Sequence, residues 1–347
     1  MIHGPRVGKM VLWIVAFAAV GALSVSFAFE SLPNQPEFPK DNPQTREKIE
    51  LGKQLFFDPR LSRNGAISCN SCHNVMLGGE DNRPNSVGVN DKRGGRSSPT
   101  VWNSAFMSVQ FWDGRAASLE DQAKGPLTNP IEMAMPEHDF VVARIQKIPG
   151  YVSAFKKVFG TGVTIDNVAK AIASYERTLV TTNSPYDRFV RGDKKALSQS
   201  AQRGMKSVQA MGCLACHSGP NFAGPKLPVG QGFFMKFPTI PGSTYEKTYN
   251  LTADLGRYEV TKKDSDKNFW RVPTWRNVAL TAPYFHNGSV KTLDEAVRVM
   301  AKTQLAKDLS EHETSDIVAF LESLTGEFPE QKMPRLPASV GMTLVED

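Results

Sequence analysis

The spacing of apolar residues predicts helices in two separate parts of the chain. In the first part, Asn42-Pro43 has the pattern of an N-cap followed by the first helical position, and this helix ends before Pro59. Thr164 can cap a later helix, which Asn183-Ser184-Pro185 terminates. The apolar faces of these two helices contain Ile49, Gly52 and Phe56 in the first, and Val168, Ile172, Tyr175 and Leu179 in the second.

The second part of the chain repeats this arrangement. A helix leads directly into Cys213, and the capping boxes at residues 292–295 and 310–313 each begin a further helix. Gly326 is the predicted stop of the last one. The apolar faces contain Ala201, Met205 and Val208, then Leu293, Ala296, Val297 and Met300, and finally Ile317, Phe320, Leu321 and Leu324.

Long irregular segments separate these helices. Residues 78–98 are rich in Gly, Asn, Arg and Ser, residues 219–244 are rich in Gly and Pro, and residues 127–133 are also irregular. Convincing strand alternation is absent from the sequence. We therefore predict a mainly α fold with an approximate internal duplication, divided into an N-terminal domain (29–183) and a C-terminal domain (184–347).

Composition and charge place the chain among exported globular proteins. It has 347 residues, of which 40% are hydrophobic and 22% charged. Arg6 and Lys9 precede a long apolar run that ends in Ser26-Phe27-Ala28, so residues 1–28 read as a signal peptide or an uncleaved membrane anchor. Without that segment the formal charge falls from +6 to +4. This mild excess, without basic clusters, argues against a nucleic-acid partner.

Two short motifs carry the chemistry. Cys69-Asn70-Ser71-Cys72-His73 and Cys213-Leu214-Ala215-Cys216-His217 both match Cys-x-x-Cys-His, and they contain all four cysteines. This run is typical of c-type haem attachment, in which two thiols bind the haem vinyl groups and the His binds iron. A zinc ribbon needs its Cys pairs closer together, and two disulfides would leave both His residues unexplained.

The sixth ligand of each iron determines what that haem can do. A Met or His ligand favours electron transfer, whereas an open position can bind a small molecule. Met300 is a candidate ligand of the second haem, although its position on an apolar helix face by itself favours core packing. For the first haem, residues 74–135 contain no His, so an open position is consistent with the sequence. The sulfur atoms available there belong to Met76, Met107, Met133 and Met135.

Several motifs in the same order resemble the bacterial dihaem cytochrome c peroxidases, over about residues 44–326. These are the first haem motif, Phe111-Trp112-Asp113-Gly114-Arg115, Asn129-Pro130-Ile131-Glu132-Met133 and the stretch from Leu280 to Gly288. The resemblance implies two covalently bound haems, with hydrogen peroxide reduced at the His73 haem. It also implies a small c-type cytochrome or cupredoxin as donor, a homodimer and a periplasmic location.

The resemblance also implies roles for individual residues. Met300 falls at the position of the distal Met ligand of the His217 haem. Trp112 matches the Trp between the haems, and Glu132 and Gln122 match a pair beside the peroxide. The family's calcium site uses two backbone carbonyls, here those of Thr281 and Pro283, and an Asn side chain, which is replaced here by Ser97.

The chain departs from the family pattern at Gly88-Val89. Members of the family have a Gly-His pair there, and this His blocks the peroxidatic iron until the other haem is reduced. Val cannot bind iron, so the oxidised enzyme is either open or closed by another group such as Met76 or Lys92. The alternatives are an enzyme like the methylamine-utilisation proteins, which have Tyr where Met300 stands, and a plain dihaem electron carrier.

Overall fold

The structure is a computed structural model that describes residues 29–339, 341 and 343–345. As predicted, this part of the chain is mainly helical. The helices of the N-terminal half are α1 Arg46–Phe57, α2 Cys69–Cys72, α3 Leu119–Thr128, α4 His138–Gln146, α5 Pro149–Phe159 and α6 Ile165–Glu176. Those of the C-terminal half are α7 Pro185–Val190, α8 Gln199–Ala210, α9 Thr244–Thr248, α10 Tyr258–Thr261, α11 Leu293–Leu305 and α12 Glu311–Glu322.

The proposed signal peptide or anchor, residues 1–28, lies outside the described residues. Within the ranges that are described, no helix has both the length and the apolar character needed to cross a membrane.

Most of the predicted helix starts are correct, and one is wrong. Thr164, Thr292 and Ser310 cap α6, α11 and α12 by accepting hydrogen bonds from backbone N–H groups. The first helix is capped by Thr45 rather than by Asn42. Asn42 is fully buried, and its side chain instead donates to Glu120 and to the carbonyl of Lys170. A buried amide with several tertiary partners is thus unavailable as a local cap.

Three further features differ from the sequence prediction. The structure has two short antiparallel strands, β1 Phe234–Lys236 and β2 Phe269–Arg271, with Met235 opposite Trp270. Three residues are too few to show an alternating pattern. The segment 127–133 begins within α3, and α12 ends at Glu322, before Gly326.

Each half is built on one close crossing of two helices. In the N-terminal half α1 crosses α6, and Gly52 lies against the carbonyl of Ala171. In the C-terminal half α8 crosses α12, and Gly204 lies against the carbonyl of Asp316. A Cβ atom at either glycine would overlap the facing carbonyl oxygen, so the small residue allows the backbones to touch. Buried residues of each half surround its crossing.

Residues 99–126 of the N-terminal half also correspond without gaps to residues 273–300 of the C-terminal half, at a spacing of 174 residues. Pro99-Thr100 recurs as Pro273-Thr274, and Asn103 and Asn277 both have left-handed backbones that begin a short 3₁₀ turn. Phe111 and Phe285 recur with φ of 66° and 69°. The same register aligns the N-caps of α3 and α11, which are Ser118 and Thr292. The predicted duplication therefore extends to individual residues.

The segment before α1 and the segment after α12 each contact the opposite half. The Leu32 N–H donates to the Asp187 carboxylate at 3.0 Å, on the C-terminal half. After α12 the chain returns to the N-terminal half, where Gln331 accepts a hydrogen bond from the Tyr175 hydroxyl at 2.9 Å. A domain boundary near residue 183 remains a prediction, and these two segments connect across it.

Replacement of Gly52 by Ala is expected to destabilise the N-terminal half. The added methyl group would overlap backbone rather than a movable side chain, so α1 and α6 must separate. Overpacking of this kind costs about 1–3 kcal/mol. Urea unfolding of the holoprotein measures the effect. Gly162→Ala is the control, because a Cβ there meets no atom within 4 Å. Equal unfolding midpoints for the two variants would contradict the proposed role of the crossing.

Candidate functional site

The first Cys-x-x-Cys-His motif lies at the wall of a cavity in the N-terminal half. Cys69 to Cys72 form the short helix α2, and Ser68 and Ser71 cap its start by a reciprocal pair of hydrogen bonds. His73 follows, and its Nδ1–H donates to the carbonyl of Pro99 at 3.0 Å. This bond fixes the ring and leaves Nε2 as the nitrogen available to a metal. Both cysteines and His73 line the cavity.

The second motif has the same arrangement in the C-terminal half. Cys213 begins a 3₁₀ turn and Cys216 follows it, and the buried His217 lies with both at the wall of a second cavity. The His217 Nδ1–H donates to the carbonyl of Phe222 at 3.1 Å, and its ring stacks on Trp275 at 4.2 Å. Burial lowers the pKa of His217 to about 4, so the imidazole is in the neutral form that binds iron.

The four cysteines are free thiols, which removes the disulfide alternative. Burial raises the pKa of both Cys72 and Cys213 to about 11. Across the described ranges, His, Cys, Asp and Glu side chains do not converge in groups of three or more, as a zinc site would require. Two free thiols beside a neutral imidazole in a mostly apolar cavity are the donor set that a c-type haem needs.

Glu132 and Gln122 both line the N-terminal cavity, as the resemblance implied. Asn129 donates to the Glu132 carboxylate at 2.7 Å and holds it in place. Burial raises the pKa of Glu132, while the nearby Arg115 and the bond from Asn129 oppose that increase. A partly desolvated carboxyl of this kind can both accept and donate a proton.

The predicted ligand Met300 lies on α11 and lines the C-terminal cavity together with His217. The repeat of 174 residues places Pro126, on α3, at the equivalent position of the other half. Pro126 lines the N-terminal cavity and carries no donor atom in its side chain. The two cavities therefore differ at the position from which a sixth ligand would come.

The four candidate methionines of the first haem have different surroundings. Met76 is 66% exposed, and Met107 lines the C-terminal cavity instead. Met133 and Met135 are buried, and of the four only Met133 lines the N-terminal cavity.

The loop with Val89 contacts the turn that carries Glu132. The Val89 side chain is buried but is not among the residues that line the N-terminal cavity. Its N–H donates to the carbonyl of Glu132 at 2.8 Å. The Nζ of Lys92 lies 3.4 Å from the carbonyl of Pro130, and Lys92 does not line the cavity either. In this structure the loop thus supports Glu132 from outside.

A shared wall separates the two cavities. Trp112 lies in this wall, and its indole N–H donates to the carbonyl of Ser97 at 2.8 Å. The members of the wall line both cavities; they are Ser97, Ser98, Pro99, Thr100, Ser104, Gln110 and Trp112. Since His73 also bonds to Pro99, this wall contacts the predicted ligand of the first iron directly.

The residues predicted for calcium share one cavity. Ser97, Thr281 and Pro283 all line the C-terminal cavity. Within the part of the chain that the structure describes, no hydrogen-bond donor reaches the carbonyls of Thr281 and Pro283.

Sequence reasoning gave no role to three charged residues of the N-terminal cavity, namely Arg96, Arg115 and Glu176. Arg96 forms ion pairs with Asp113 and Asp254, which join the two halves. Arg115 also pairs with Asp113. Glu176 is the last residue of α6 and is 5% exposed. Comparison of α6 with α12 at the two helix crossings identifies Glu176, because the residue at its place in α12, Leu321, is apolar.

Comparison with known proteins agrees with this geometry. The model of the Di-haem cytochrome c peroxidase family matches residues 46–195. Cytochrome c551 peroxidase of Pseudomonas aeruginosa is 46% identical over 323 residues, covering 92% of this chain and 90% of that protein. Methylamine utilization protein MauG of Methylorubrum extorquens is 36% identical, covering 89% and 85%.

A solved structure also matches. It is that of a MauG-like protein associated with microbial copper homeostasis, with a TM-score of 0.74 and 28% identity, covering 85% of this chain and 94% of that one. With this identity to its relatives over most of its length, the chain belongs to the di-haem cytochrome c peroxidase family.

Proposed function

We propose that this protein reduces hydrogen peroxide to two waters in its N-terminal half, using two protons and two electrons that enter through its C-terminal half. The observation that carries the proposal is the difference between two otherwise equivalent cavities. Met300 offers a thioether ligand in one, whereas Pro126 offers none in the other. When bound, each haem supplies iron redox chemistry, and an open coordination position allows a small oxidant to bind.

Both haems are proposed to be covalently attached haem c. Cys69 and Cys72 would hold the first, and Cys213 and Cys216 the second. The proposal is supported by the free thiols and by the orientation of both His rings through their Nδ1 bonds. His73, His217 and Met300 are the proposed iron ligands.

Glu132 is the proposed acid–base residue. Its carboxylate can take the proton from one peroxide oxygen and return it to the other, which assists O–O cleavage. Burial keeps its pKa above the usual range, so the proton is easily held during the transfer. Gln122 lines the same cavity, and no side-chain hydrogen bond to another described residue restrains it. Its amide is thus available to orient the substrate.

Trp112 is the proposed connection between the halves. It lines both cavities, so its aromatic ring would lie on the path of an electron that moves from the C-terminal haem to the N-terminal haem. The bond from its indole N–H to the Ser97 carbonyl holds the ring in the wall.

Several partners and properties follow from the same proposal. The electron donor is a small c-type cytochrome or a cupredoxin, the protein is a homodimer, and residues 1–28 direct it to the periplasm.

A calcium ion is proposed at the carbonyls of Thr281 and Pro283, which lack other partners in the described structure. Ser97 would supply a hydroxyl where relatives supply an amide oxygen, which makes this a weaker site.

One alternative is an enzyme that uses peroxide to oxidise a partner protein, as expected for a MauG-like enzyme. The absence of a blocking His at Val89 favours it, and Met300 in place of Tyr argues against it. A plain electron carrier is a further alternative. It would have no use for a half-buried acid such as Glu132 beside an open cavity.

Replacement of Glu132 by Gln tests the acid–base role. Gln keeps the size and can still bond to Asn129, but it cannot carry the proton, so peroxide turnover should fall by roughly 10²-fold or more. Steady-state peroxidase assays measure the rate, and intact mass verifies that two haems remain attached. Glu137→Gln, on an exposed residue nearby, is the control. Near-normal turnover in Glu132→Gln would remove Glu132 from the mechanism.

Replacement of Met300 by His tests the proposed ligand. An imidazole in place of a thioether should keep the C-terminal haem low-spin and lower its reduction potential. Potentiometric titration followed by visible spectroscopy measures this change. If Met300 only fills the core, the potential of the C-terminal haem stays where it was.

The absence of a His at position 89 predicts an open resting state. We expect a high-spin N-terminal haem in the fully oxidised protein, which reacts with peroxide without prior reduction. Electron paramagnetic resonance followed by rapid mixing with peroxide measures both properties. Of the four candidate methionines, Met133 is the one that lines this cavity. Two low-spin signals and no reaction before reductant is added would show that Met133 or another group closes the site.

A further inference from the structure

Glu176 is a buried carboxyl in the N-terminal cavity that the proposed mechanism does not use. It ends α6 and lines the cavity together with Cys69, and only 5% of it is exposed. Its Oε2 atom is completely buried and has no hydrogen-bond partner. No hydrogen bond from any other described residue reaches its Oε1 either. A buried acid without a partner destabilises a fold, so its presence needs an explanation.

The charged groups around Glu176 do not neutralise it. Arg177 follows it in the chain, but both terminal nitrogens of Arg177 bond to Glu120 on α3, at 2.6 and 2.9 Å. The charge of Arg177 lowers the pKa of Glu176, and that of Glu120 raises it. Cys69, on α2, is the titratable group that faces Glu176 from the haem motif. Burial is the largest influence on Glu176 and raises its pKa to about 8.

The C-terminal half shows that the fold does not need an acid here. Ala171 and Asp316 occupy equivalent places, since their carbonyls face Gly52 and Gly204 at the two helix crossings. One residue after each of these, Ile172 corresponds to Ile317. Five residues after each, Glu176 corresponds to Leu321. All four of these later residues line their respective cavities. An acid therefore stands in the proposed peroxidatic cavity where the electron-transfer cavity has a leucine.

From this placement we propose that Glu176 takes up a proton from solvent when the N-terminal haem gains an electron. The inference rests on the proposed function only in assigning this haem to peroxide chemistry. An electron added to a low-dielectric cavity favours the neutral form of a nearby acid, and the neutral acid in turn stabilises the added electron. In the pH range where Glu176 is ionised in the oxidised protein, one of its carboxylate oxygens gains one proton as the haem gains one electron. Glu176 then holds, inside the cavity, one of the two protons that peroxide reduction consumes.

The test is the pH dependence of the reduction potential of the N-terminal haem in the holoprotein. In the wild type the potential should fall as pH rises through the range in which Glu176 loses its proton. In Glu176→Gln, which stays neutral, the potential should stay close to the low-pH value of the wild type across that range. The C-terminal haem serves as an internal control, and Glu50→Gln, on an exposed residue of α1, as a matched one. Unchanged pH dependence in Glu176→Gln would overturn the proposal.

A second measurement keeps the proposal testable if Glu176→Gln does not fold. Infrared difference spectra of the wild type, recorded above pH 8 so that Glu176 is ionised before reduction, should show a protonated carboxyl band that appears on reduction and persists in Glu132→Gln. The band should shift in Glu176→Asp. Absence of the band, or a band that does not shift, would overturn the proposal. Neither measurement uses peroxide, so loss of the proposed peroxidase function would leave both results interpretable.

Discussion

The contact between backbones at Gly52 and Gly204 is the constraint on which the rest of the structure depends. Each glycine lets two helices approach until a carbonyl of one lies against the Cα of the other. The crossing fixes the rotation of α6 and α12 about their axes. That rotation in turn decides which residues of these helices line the cavities, namely Ile172 and Glu176 in one half and their counterparts in the other.

The repeated framework explains how one architecture can supply two different haem environments. Both halves orient the His ring through an Nδ1 bond to a backbone carbonyl. They differ where side chains enter the cavities, with Pro126 in place of Met300 and Glu176 in place of Leu321. A substitution at these positions changes the chemistry of one cavity and leaves the helix crossing intact. Within each half, the residues of the helix crossing therefore stabilise the fold, and different residues determine the chemistry of the cavity.

Much of the fold could be predicted from the sequence, because its determinants are local. The capping residues Thr164 and Ser310 act on N–H groups a few positions away. Asn42 was misassigned as a cap because its partners, Glu120 and the carbonyl of Lys170, are distant in sequence. Glu176 could not be recognised from spacing alone, because an acid at the end of an amphipathic helix is normally exposed. Its burial depends on the cavity that α2 and α3 complete.

The candidate site shows the same division between local and long-range determinants. Each Cys-x-x-Cys-His motif contains the two thiols and the His within five consecutive residues, so the sequence identifies it directly. The position of Glu132 depends on a loop more than 40 residues away, whose Val89 N–H bonds to its carbonyl. Because this bond uses the backbone, it does not require a particular side chain at position 89. The chain can thus lack a His at position 89 and still hold Glu132, the proposed acid–base residue, at the cavity. Access to the iron and proton transfer would then depend on different residues.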